Sequence, residues 1–135
     1  MIELSNTNAQ VLAAGQSVIF DMVLLHTGCG ECHRQNSGSI NLAQKNAIYE
    51  VSYNANIGST ATGDAQLAIT LDTAPLPETT GKVVTAAAGD LQNVSASTYI
   101  KTCCCNGANT ILLTNTGTTE INVDASGRLS VKRVA

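Results

Sequence analysis

Apolar and polar residues alternate with a period of two along much of this chain. Tyr49, Val51, Tyr53, Ala55 and Ile57 are interleaved with Glu50, Ser52, Asn54 and Asn56. Leu67, Ile69 and Leu71 repeat the pattern against Gln66, Ala68 and Thr70, and Ile121 with Val123 and Leu129 with Val131 do so more briefly. Successive side chains of a strand point to opposite faces, so each run predicts a strand with one face buried. Helical periodicity is nearly absent. Turn residues separate the runs, among them Gly58 to Gly63, Pro75 to Gly81, Asn106-Gly107, Thr116-Gly117 and Ser126-Gly127. The pattern predicts strands at 9–14, 17–26, 38–44, 47–57, 65–72, 92–102, 109–115, 118–124 and 128–134. Short strands at this spacing predict an all-β sandwich or barrel. Val18-Ile19-Phe20 and Val23-Leu24-Leu25 are apolar on both faces, so that strand is either central or covered by another subunit. The segment Ala74-Pro75-Leu76-Pro77 is expected to leave the sheet, because Pro donates nothing to a ladder.

Composition narrows the class. A chain of 135 residues forms one domain, 1–135, with enough apolar residues for a core. That core must be aliphatic, since the chain has no Trp, one Phe and three Tyr. Charged residues make up 13% of the chain, against a typical quarter, and the net charge is −3 without a basic cluster. Nucleic acid is therefore not an expected partner. The longest apolar run, Val18 to Leu25, is interrupted by Asp21 and is too short to span a bilayer, so no membrane partner is expected. The opening Met1-Ile2-Glu3-Leu4 is not followed by the apolar core of a signal peptide, which points to synthesis in the cytoplasm.

The five cysteines form two knots, His26-Thr27-Gly28-Cys29-Gly30-Glu31-Cys32-His33 and Cys103-Cys104-Cys105. Three chemistries compete. Cys29-Gly30-Glu31-Cys32-His33 fits the C-x-x-C-H pattern of haem c attachment, but it sits in a glycine-rich turn and lacks an export signal, so haem is disfavoured. Cys29, Cys32 and His33, with Cys103 and Cys105 from the second knot, are candidate ligands for a tetrahedral zinc ion. Disulfides within or between the knots are the plainer alternative, though Cys103–Cys104 is too close for ordinary bridge geometry. An even number of chain reversals separates the strands preceding the two knots, which places both at one end of an antiparallel sandwich.

The order of several pieces carries a family resemblance. Ala47-Ile48-Tyr49-Glu50-Val51-Ser52-Tyr53-Asn54-Ala55-Asn56-Ile57 resembles the G-x-Y-x-V-S-Y-N-V-N strand in the C-terminal domain of collagen-like spore-surface glycoproteins. Gln66 to Asp72 with Pro75-Leu76-Pro77, Ile111 to Gly117 and Leu129 to Val134 agree in the same order. Those domains are similar to tumour-necrosis-factor and complement globular-head jelly rolls, and small proteins of this kind occur among structural proteins of phages infecting Firmicutes. The resemblance implies an antiparallel jelly-roll sandwich assembling as a homotrimer. It implies that strands 17–26 and 128–134 supply the subunit interface, through Val18, Phe20, Met22, Leu24 and Val131. It also implies a non-enzymatic role on a virion or spore-type surface, among other virion or coat proteins. The chain lacks the collagen stalk and adds the cysteine knots.

Other chemistry is sparse. No nucleophile–base order, phosphate loop or paired acid–base carboxylates stand out. Asp21, inside an apolar strand, is expected either to pair with Lys132 or Arg133 at an interface or to lie on a solvated strand edge. A glycan or host receptor, if one is bound, would be met by loops 57–64 and 73–90, and a redox or metal-binding role would depend on the knots alone. Asn93-Val94-Ser95 fits a glycosylation acceptor.

Overall fold

The computed structural model describes residues 1–28, 30–102 and 109–135. Among the described residues, thirteen strands form two antiparallel sheets that face each other. The first sheet runs β2 (Gln10–Leu12), β12 (Ile121–Val123), β6 (Ile48–Ser59), β13 (Arg128–Arg133), β1 (Ile2–Ser5), β3 (Met22–His26). In the same sheet β10 (Gln92–Lys101) pairs with the opposite edge of β6. The second sheet runs β4 (Glu31–His33), β5 (Ile40–Leu42), β11 (Asn109–Thr114), β7 (Gly63–Leu71), β8 (Ala74–Pro75), and β9 (Gly81–Thr85) also pairs with β7. A single 3-10 turn, Pro77–Thr79, precedes β9.

The predicted alternation is realised in β6, whose Tyr49, Val51, Tyr53, Ala55 and Ile57 are all buried. Their partners across the ladder include Ile100, Val131 and Leu129, so one continuous apolar layer forms on the inner face. The core is aliphatic as composition demands, with Phe20 and Tyr49 its largest fully buried side chains. Tyr53 is buried in that layer, and its hydroxyl donates to the carbonyls of Thr79 at 2.6 Å and Leu67 at 3.3 Å. In β7, Ala68 and Thr70 are buried together with Leu67 and Ile69, so this strand is covered on both faces.

Several expected boundaries move. Segment 17–26 is not one strand. Ser17 and Val18 pair with the end of β11, Phe20 bridges Ser37, and only from Met22 does the chain join β1. The segment crosses from one sheet to the other, and Asp21 marks the crossing. β1, β4 and β9 were not expected. β1 has only four residues, β4 lies inside the glycine-rich cysteine motif, and β9 opens on Gly81. Pro75 does not leave the sheet. It sits on the outermost strand opposite Thr70, where no further ladder bond is required of it.

Candidate assembly surface and the cysteine end

The described part of the first cysteine motif is the edge strand β4, not a loop. Glu31 and His33 point inward and Cys32, between them, is an exposed free thiol. Cys32 and His33 face opposite ways on β4, as consecutive strand residues do. His33 Nδ1 donates to the Ser39 carbonyl at 2.9 Å, and its buried Nε2 has no partner among the described residues. Cys29, Cys103 and Cys105 lie outside the described residues. Among those described, no group of three or more His, Cys, Asp or Glu side chains is placed to hold a metal ion.

Hydrogen bonds tie the flanks of both knots together. The Gly30 carbonyl accepts the Ala43 N–H at 2.9 Å and the Tyr49 hydroxyl at 3.0 Å. One residue on, the Gln44 carbonyl accepts the Thr102 hydroxyl at 2.6 Å. Asn109, on the far side of the second knot, pairs with Leu42, which pairs with Glu31. The described flanks of the two knots therefore lie at one end of the sandwich, while Cys29 and residues 103–108 lie outside the described residues. Glu31, only 2% exposed, faces the Met1 ammonium at 3.2 Å, and that ammonium also donates to the Thr27 carbonyl at 2.7 Å. His26 Nε2 lies 3.0 Å from the Glu31 carbonyl, linking β3 to β4 across the two sheets.

Of the expected interface residues, Val18, Phe20 and Val131 are buried in the core of the single chain. Their side chains have no surface left to offer a second subunit, which corrects that expectation. Met22 and Leu24 are exposed, and Val23 and Leu25 with them, all between 41% and 47%. The apolar strand is therefore an edge, not the centre of a sheet. Among described residues its outer ladder side is unpaired, since β1 is its one strand partner. Asp21 is half-buried and does not pair with Lys132 or Arg133. Its carboxylate accepts the Thr7 hydroxyl and, at 2.9 Å, the Thr7 N–H, and these bonds hold its pKa below the ordinary carboxylate value. Arg133 donates instead to the Ala135 carbonyl at 3.0 Å.

Sequence reasoning missed the outer face of the first sheet. Opposite positions on neighbouring strands form two rows there: Ser97, Ser52, Ser130, Glu3, Leu25, and Ser95, Asn54, Arg128, Ser5, Met22. The small side chains leave an open trough of about 590 Å³. Arg128 and Glu3 neutralise each other at its margin, 3.2 Å apart. The polar half of each alternating run was the available signal. At the end of the sandwich away from the cysteines, the 86–91 loop lies on β6: the Asp90 carbonyl would sit 1.9 Å from a Cβ added at Gly58. The expected recognition loops 57–64 and 73–90 therefore meet there, at Gly58 and Asp90, while the 72–74 tip lies at the other end. Tyr49 and Tyr53 are buried and Tyr99 is 67% exposed, which leaves no platform of several aromatics.

No protein-family model matches the chain, and no curated protein matches it. Solved structures do. The globular domain of zebrafish complement 1qA protein has a TM-score of 0.60 at 10% identity, covering 96% of this chain and 94% of that one. Eiger TNF from S. frugiperda has a TM-score of 0.65 at 6% identity, covering 99% and 91%. PRD1 vertex protein P5 has a TM-score of 0.54 at 16% identity, covering 99% and 97%. At such identities the likeness is one of fold. The chain is an all-β antiparallel jelly roll of the tumour-necrosis-factor and complement-head type, as the strand motif around Tyr49 to Ile57 implied.

Proposed function

We propose that this chain is a non-enzymatic homotrimeric structural module on the surface of a phage particle or spore-type coat, working by assembly and attachment. The observation that carries the reading is β3. An edge strand bearing four large apolar side chains, each more than two-fifths exposed, is a liability for a lone chain. Burying what remains exposed of four such side chains is worth on the order of 4 kcal/mol per copy. A trimer is the assembly that the family resemblance implies. The jelly-roll likeness to a vertex protein supports a place on a particle surface.

Light scattering on purified protein tests the reading. It predicts a mass of about 42 kDa, three times the 13.9 kDa chain. A mass that stays at one chain across micromolar concentrations contradicts it.

A further inference from the structure

We propose that the cysteine end of the first sheet binds an acidic polysaccharide, through cations and one aromatic ring that the fold gathers from distant parts of the chain. Lys101 closes β10 opposite Ile48, and Lys132 and Arg133 close β13 opposite Glu50 and Tyr49. Lys45 stands on the turn before β6, where the Thr102 hydroxyl donates to the Gln44 carbonyl and accepts the Ala47 N–H. Neighbouring strands lie about 4.8 Å apart, so all four cations share one strand end. All four are exposed, and none forms an ion pair among the described residues. Lys82 and Arg128, elsewhere, are paired with Asp64 and Glu3. The whole chain carries a net charge of −3, so its free cations are concentrated here while most of its carboxylates lie elsewhere.

Tyr99 supplies the sugar contact. It is 67% exposed, more than any other large apolar side chain among the described residues. It lies two residues before Lys101 on the same face of β10, in one row with Glu50 and Lys132. The next row along the sheet is Ser97, Ser52 and Ser130. A pyranose has an apolar C–H face and a rim of hydroxyls, which match an open ring beside serine hydroxyls. A carboxylate on that sugar meets the lysines in charge-assisted hydrogen bonds. An acidic peptide would use the cations and leave Tyr99 and the serines without a role. β10 and β3 border opposite edges of the sheet, so the site is separate from the strand on which the assembly reading rests.

The test is binding of the whole chain to immobilised polygalacturonate. Dextran serves as a neutral sugar, and poly-L-glutamate and a single-stranded oligonucleotide serve as anions of other classes. Retention on polygalacturonate at low salt, release as salt rises and no retention on dextran are expected. Tyr99→Ala and Lys101→Glu should each weaken binding roughly tenfold, through loss of the ring contact or reversal of one charge. Lys82→Glu makes the same change in net charge on β9, away from the site, and should leave binding unchanged. No retention on polygalacturonate overturns the proposal, as does equal binding of poly-L-glutamate or the oligonucleotide. A lower assembly mass for Tyr99→Ala also overturns it, by placing Tyr99 in the subunit contact. None of these results alters the light-scattering mass of the unmodified chain, so the two readings fail separately.

Discussion

Tyr53 is the residue whose chemistry ties the two sheets. Burial pushes its phenol up to about 12 from the ordinary 10.0. The native state therefore holds the proton after the unfolded chain has released it. Its contribution to stability is complete below pH 10 and is lost as pH rises toward 12. Tyr53→Phe should remove that alkaline loss and cost roughly 1 kcal/mol at neutral pH, through the hydrogen bond to the Thr79 carbonyl. Denaturant titrations at pH 7 and pH 11 check both, and an unchanged alkaline slope in the variant would contradict the assignment. Asp21 behaves in the opposite sense. Its hydrogen bonds from Thr7 lower the native pKa, so its contribution is present above the unfolded value of 3.8 and fades as pH falls below it. Asp21→Asn should flatten the acid limb of the stability profile and leave the alkaline limb alone. Cys32 gives a third residue-level expectation: as an exposed thiol it should react with a labelling reagent in native protein, and Cys32→Ser should remove one equivalent.

Elements explain why part of this structure was legible in the sequence. Long alternating runs were read correctly, because a strand with one buried face has no freedom in its pattern. β6 and β10 are the clearest cases, and their ten-residue register is one of the longest ladders in the molecule. β7 alternated too, but its polar-face Ala68 and Thr70 are also covered, which no period reveals. β1, β4 and β9 escaped because they are short and set among turn residues. Segment 17–26 misled for a different reason: its apolar residues serve two sheets, and Asp21 is the break between them. Cys32 and His33 likewise read as neighbours in the motif but face opposite ways on β4. Glycine placement was informative only once partners were known. Gly58→Ala would put a Cβ 1.9 Å from the Asp90 carbonyl, so the 86–91 loop must move. A cost of about 2 kcal/mol or more is expected in thermal unfolding, with the loop's amides losing hydrogen-exchange protection.

For the whole molecule, the interface was the least legible feature. Core and interface residues are apolar alike, so the sequence could not separate Phe20 and Val18, which the chain buries for itself, from Met22 and Leu24, which it does not. The serine-lined trough was invisible for the converse reason, since serines on a strand read as an ordinary solvated face. The fold resolves both by placing apolar side chains on an unpaired edge and small side chains on the same face. Leu24→Asp should then abolish assembly while leaving the single-chain fold intact, because Leu24 is 42% exposed and lies outside the buried core cluster. The most direct measurement is the mass in solution. Multi-angle light scattering of the unmodified chain should give about 42 kDa, three times 13.9 kDa, and Leu24→Asp should reduce it to one chain. A one-chain mass for the unmodified protein would contradict the account at its centre.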